Sequence, residues 1–188
     1  MQVREISLAA VFAALISVLA RISIPLPFTP VPVTGQMLGI FLAGAILGRR
    51  LGTIAVLAYL LLGAIGLPVF ARGGAGIGAL LGHSGGYLWG FALGVYLLGW
   101  IVEGGKNLSY FRIAGGMLAC LIAVYLLGAL QLAYILHLNW EKALLLGVLP
   151  YIPLDLAKLA LAAAVSLPVR RSLQHARLLP GPETQEGA

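Results

Sequence analysis

Asp155 and Lys158 stand three residues apart at the head of a run that is otherwise apolar through Leu167. On a helix, side chains at this spacing share one face, so an acid and a base would project together into an apolar environment. Pro153 suits the first helical turn, where its missing N–H does no harm, and it leaves Asp155 near a positive helix end that favours its charge. Two readings follow from these residues. One is an intrahelical ion pair that lets the helix enter a membrane; the other is a polar ligand site, because ionisable residues within membrane segments are costly and mark functional sites.

The membrane context comes from composition. Of 188 residues, 61% are hydrophobic and 10% charged, with a mean hydropathy of +1.01. Each spanning helix takes about 20 apolar residues, which leaves room for roughly five to seven spans and for no soluble catalytic domain. The expected fold class is an all-α integral membrane protein with six transmembrane helices in one bundle. The net charge of +6 comes from basic residues scattered at loop positions, a pattern that fits positive-inside bias and not a nucleic-acid surface. Cys120 lies alone in an apolar run, so neither a disulfide framework nor a cysteine metal site is available. Gly104-Gly105-Lys106-Asn107 lacks the Ser or Thr and the leading glycine of a phosphate-binding loop, so the chain does not hold ATP in that way.

The elements that must position the acid and base can be read in order. The first apolar segment, about residues 3–24, carries Ala9, Ala10, Ala13 and Ala14. These form two overlapping spacings of small residues four apart, which either dock a partner helix closely or serve packing inside the bundle. Residues 25–34 contain four prolines and cannot be a regular helix; they read as a stiff apolar loop. Gln36 opens a short second helix, Arg49 and Arg50 mark a basic turn, and residues 51–67 form the third span. Residues 66–86 are glycine-rich, with Phe70, Arg72, His83, Ser84 and Gly85 among them. The apolar residues within this stretch predict a partly buried, re-entrant path. Residues 87–102 and 113–136 give the fourth and fifth spans, and the sixth ends by Leu167. Residues 1–170 then form the membrane domain and 171–188 a flexible cytoplasmic tail.

Six spans put both termini on one side. With both in the cytoplasm, Arg4, Arg49, Arg50, Lys106, Arg112, Arg170, Arg171 and Arg177 fall inside, leaving Arg21, Arg72, Lys142 and Lys158 outside or in the outer membrane half. The same topology brings the proline loop, the glycine loop and the Asp155/Lys158 helix start to the external face, where three segments distant in sequence can form one pocket. Such a pocket would offer an acid, a base, polar groups from Gln36 and Ser84, and aromatic walls from Phe28, Phe70, Tyr87 and Tyr151. It would suit a small amphipathic molecule with an anionic group and N–H donors.

Over about residues 9–167 the chain resembles the BioY family, the biotin-binding membrane subunits (S components) of energy-coupling-factor (ECF) transporters. The marks are Pro-Val-Pro-Val-Thr-x-Gln ending at Gln36, Gly-Leu-Pro-Val-Phe-Ala ending at Ala71, Ser-Gly-Gly-Tyr-Leu from Ser84 to Leu88, and Pro-Leu-Asp-Leu-Ala-Lys ending at Lys158. The resemblance implies the six-helix S-component fold, capture of biotin from outside the prokaryotic cell membrane, no catalysis, and partnership with a coupling membrane subunit and two cytoplasmic ATPases. It implies that Asp155 and Lys158 hold the ligand, that Gln36, Ser84, Gly85 and Tyr87 line it, and that the alanine face of the first helix docks the partner. The chain departs from the family pattern at His83-Ser84-Gly85-Gly86, where Pro-Thr-Gly-Gly is commoner, and at Arg72, where Gly is commoner. Arg72 reads either as a solvated external charge or as a second partner for a carboxylate. The alternatives from other classes are an autonomous ion-driven transporter, for which no inverted repeat is evident, and an intramembrane enzyme, for which no nucleophile constellation is present.

Overall fold

The long apolar runs demand helices, because a backbone crossing hydrocarbon must satisfy its own hydrogen bonds. The computed structural model describes residues 2–105, 108–176 and 178–179, and it is built almost wholly of helix. Helix α1 (Val3–Arg21) ends where the chain enters a two-residue strand, β1 (Ser23–Ile24). This strand pairs antiparallel with β2 (Val33–Thr34) in the register Ser23↔Thr34 and Ile24↔Val33. The prolines are thus the loop of a small hairpin, non-helical as expected, and the closing ribbon fixes where that loop hangs.

Helix α2 (Gln36–Leu42) runs on as a π-helical turn, Ala43–Leu47, and α3 spans Gly48–Ala64. Helical hydrogen bonding makes this look like one apolar run, one of five among the described residues with the length and apolarity to cross a membrane. The path reverses at Gly48, whose φ of 81° and ψ of −170° are far from helical. A straight helix would hold Ala43 and Gly52 about 13 Å apart, yet a Cβ built on Gly52 would lie 2.9 Å from the Ala43 carbonyl oxygen. The run is therefore a hairpin of two segments, and the expected six-helix bundle is obtained.

The remaining elements are α4 (Ile77–Leu81), α5 (Gly85–Glu103), α6 (Tyr110–Ile135), α7 (Trp140–Gly147) and α8 (Ile152–His175). Helices α5 and α6 approach closely along a glycine stripe. A Cβ on Gly90 would stand 2.7 Å from the Val124 Cα, and one on Gly94 2.7 Å from the Cys120 Sγ. Ser109 and Asn139 cap the starts of α6 and α7, accepting from the backbone N–H groups of Arg112 (3.3 Å) and Lys142 (3.1 Å). The glycine-rich stretch is less buried than its composition implied: Leu80 is buried, but Ile77 and Leu81 on the same short helix are exposed.

Two expectations are corrected by the packing. Helix α8 does not stop near Leu167; it passes through Pro168 to His175. Arg170 secures this last part, buried and donating from one guanidinium nitrogen to the carbonyl oxygens of Ala45 (3.0 Å) and Ile46 (3.1 Å), which the reversal at Gly48 leaves at a helix end. The tail thus begins after His175 at the earliest, and residues 177 and 180–188 lie outside the described residues, as do Lys106 and Asn107. Secondly, the four alanines of α1 do not share one outward face. Ala9 and Ala13 are buried with Phe12, Ile16 and Ala20 against the chain's own bundle, whereas Ala10 and Ala14 are exposed. A step of about 100° per residue separates the two rows, so only Ala10 and Ala14 remain available to another chain.

Large apolar side chains such as Val11, Val18, Leu61, Ile122 and Tyr134 are exposed around the bundle, which suits contact with lipid tails and not with water. The molecule is a multi-pass membrane protein. Arg4, Arg49, Arg50, Arg112, Arg170 and Arg171 gather at the end of the bundle that holds the Gly48 reversal, while Arg21, Arg72, Lys142 and Lys158 belong to the opposite end.

Candidate functional site

A cavity of about 400 Å³ opens at the end of the bundle that carries the hairpin loop and the glycine-rich stretch. That volume lies within the ~300–1,000 Å³ range of small-molecule sites. The proline loop supplies Pro30, Val31 and Pro32, the glycine-rich stretch supplies Phe70, Arg72, His83 and Ser84, and the start of α8 supplies Asp155 and Lys158. The three segments expected to converge do so. Gln36, Tyr87 and Tyr151 also line the space.

In its wall, Lys158 Nζ donates to Asp155 Oδ1 at 2.7 Å and to the Thr34 carbonyl oxygen at 2.6 Å. The second bond joins α8 to β2, so the ribbon that closes the proline loop also aims an acceptor at the ammonium. The other carboxylate oxygen, Asp155 Oδ2, accepts from the Tyr125 hydroxyl at 2.7 Å. Asp155 is buried and Lys158 partly so. Their pairing limits the desolvation cost that either charge alone would carry. Neither is saturated: a carboxylate has about four lone-pair sites and an ammonium three donors, so each retains capacity for a ligand.

The aromatic residues divide by what their hydroxyls do. Tyr151 donates to the Val31 carbonyl oxygen and lies 3.3 Å from Thr29 Oγ1, tying the proline loop to the head of α8. Burial raises the Tyr151 pKa above its ordinary value. Tyr87 donates to the Gly147 carbonyl oxygen at 2.7 Å and presents its ring to the cavity. Phe70 packs edge-on to Tyr59 with ring centroids 5.5 Å apart, and the Gln36 amide donates to the Tyr59 hydroxyl. These contacts make the aromatic wall a fixed surface rather than a set of mobile rings.

Two expected residues do not contribute as supposed. Phe28 is 56% exposed at the tip of the proline loop and does not line the cavity. Gly85 is buried against the Leu80 backbone and the Gln131 side chain, so its lack of a Cβ serves packing at the start of α5. Residues missed by sequence reasoning matter more. Tyr125 grips Asp155, and Gln131 Nε2 donates to the carbonyl oxygens of Leu80 (3.1 Å) and Gly82 (2.7 Å), holding the end of α4 over the site. Both are polar groups in the apolar middle of α6, and a part-buried hydroxyl or amide there needs a partner. That was the available signal.

A model of the BioY family matches residues 1–175. The chain is 41% identical to the biotin transporter BioY of Thermotoga maritima over 89% of this chain and 96% of that protein. It is 40% identical to the probable biotin transporter BioY of Pyrococcus horikoshii over 88% and 96%. Its fold is similar to the crystal structure, at 2.1 Å, of the S-component for biotin from an ECF-type ABC transporter. The TM-score is 0.84 with 32% identity, covering 97% of this chain and 95% of the other. Given the match over nearly its whole described length, the chain belongs to the BioY family.

Proposed function

We propose that this chain is the biotin-binding transmembrane subunit of an ECF-type importer. In this reading it captures biotin from the external side, and a coupling membrane subunit with two cytoplasmic ATPases supplies the energy. The observation that carries the reading is the Asp155–Lys158 pair, closed at 2.7 Å yet with capacity left on both partners, in the lining of a cavity of about 400 Å³. A cyclic urea presents an N–H donor beside a carbonyl acceptor. Asp155 accepts from the ureido N–H while the third Lys158 proton meets ligand oxygen, and the apolar remainder lies against Phe70, Tyr87 and Tyr151.

The basic residues at the Gly48 end of the bundle support a cytoplasmic location for both termini, which leaves the cavity open to the outside. Lys106 and Arg177, which also entered the charge reading, lie outside the described residues. Ala10 and Ala14, being exposed, are the part of the α1 face offered to the coupling subunit. Purification of the chain from its native membrane, followed by uptake assays, tests this assignment. Associated ATPases and uptake that survives collapse of ion gradients are expected. Uptake by the chain alone, driven by an ion gradient, would contradict it.

A further inference from the structure

We propose that Arg72 binds the carboxylate of the ligand at the mouth of the cavity, making the chain selective for a free carboxylic acid over its neutral esters. This rests on the biotin-binding reading above and deepens it. The first argument is charge balance. Lys158 is already matched by Asp155 at 2.7 Å and by the Thr34 carbonyl at 2.6 Å, so the centre of the site is close to neutral. An anionic ligand therefore needs a second cation, and among the described residues lining the cavity the other permanent cation is Arg72. Its guanidinium is exposed and has no hydrogen-bond or ion-pair partner among the described residues. A planar fork of donors is suited to gripping a carboxylate with two parallel bonds.

The second argument is backbone geometry. Arg72 has φ 56° and ψ 22°, the left-handed region that a residue with a side chain enters only at a cost. The Phe70 N–H donates to Gly74 O at 3.0 Å and the Gly73 N–H to Phe70 O at 3.1 Å, which locks the turn. Glycine would accept this conformation freely. The arginine beside the cavity thus stands against the local backbone preference. A second guanidinium stands at the same turn: a Cβ built on Gly73 would lie 3.3 Å from an Arg21 terminal nitrogen. The rim is positive, and it draws anions toward the opening.

The test is calorimetric titration of the purified full chain with biotin and with biotin methyl ester, using the unsubstituted protein, Arg72→Gly and Arg72→Asn. Glycine and asparagine both tolerate the left-handed turn, so the loop persists in each variant. Loss of one charge-assisted contact at a partly solvated rim corresponds to about a tenfold or greater fall in biotin affinity. The ester should bind the unsubstituted chain more weakly than biotin by a similar factor, and its affinity should not change on substitution. Full biotin affinity in both variants, or an equal loss for acid and ester, overturns the role of Arg72 alone. No binding of either ligand by the unsubstituted chain overturns the biotin reading and this inference with it.

Discussion

Lys158 Nζ and the Thr34 carbonyl oxygen, 2.6 Å apart, join the head of the last helix to the ribbon that closes the proline loop. One ammonium therefore does two things: it balances Asp155 and it holds a wall of the cavity in place. Replacing it with an apolar side chain of similar length leaves a buried carboxylate with Tyr125 as its remaining partner. Lys158→Met should lower stability by about 2–4 kcal/mol, read by thermal or denaturant unfolding in detergent, and should weaken biotin binding. Adding Asp155→Asn should restore part of the stability without restoring binding, because the stranded charge is gone while the ligand contacts are not.

Tyr125→Phe isolates the contact that sequence reasoning missed. The ring still fills its place in α6, and Asp155 Oδ2 loses the 2.7 Å donor that orients it. A stability cost of about 1.5–3 kcal/mol is expected for one hydrogen bond to a charged group, with biotin affinity falling about tenfold. Unchanged affinity in a folded variant would show that Lys158 alone orients the carboxylate.

At the opposite end, Gly48 is held between two caps. Glu103 Oε1 accepts from the Arg49 backbone N–H at 3.0 Å at the start of α3, and Arg170 covers the carbonyls of Ala45 and Ile46 in the π-helical turn before Gly48. An acid at a helix start and a base at a helix end both oppose the local dipoles favourably. With φ at 81° and the Glu103 carboxylate occupying the place that a Cβ would take, Gly48 admits no side chain without movement. Gly48→Ala should cost about 2 kcal/mol or more in unfolding measurements, while biotin affinity per folded molecule stays near its original value.

The two alanine rows of α1 should separate in a paired experiment. Ala10→Trp or Ala14→Trp, on the exposed row, should impair uptake in cells while leaving binding by the purified chain intact. Ala13→Trp, aimed into the bundle where Ala13 is 2% exposed, should instead lower stability and yield. Full uptake with either outward substitution would exclude this row as a coupling surface.

Much of this arrangement was legible in the sequence because the strongest signals are local. Four prolines forbid a helix over residues 25–34, Pro153 starts one, and Asp155 and Lys158 must share its face. What the sequence left open depends on neighbours. The alanine spacing in α1 reveals two rows but not which one the bundle covers. Pro168 marks a place where a helix commonly ends, and the carbonyls that Ala45 and Ile46 of the π-helical turn offer to Arg170 explain why α8 continues. Tyr125 reads as one more aromatic in an apolar run until the Asp155 carboxylate is found beside it. Gly85 falls within a motif of lining residues, yet its contacts show a packing role.

Calorimetric titration of biotin into the purified full chain, unsubstituted and with Asp155→Asn, tests the central claim most directly. The substitution keeps the size of the side chain, removes its charge and turns one of its two acceptor oxygens into an NH2 donor, so the site is left with a weaker, neutral acceptor for the ureido N–H groups and without its balance for Lys158. Saturable binding by the unsubstituted chain, with affinity lowered about a hundredfold in the variant, is the predicted result. Equal affinity in the two proteins would contradict the account, since the acid and base at the head of α8 would then not be what holds the vitamin.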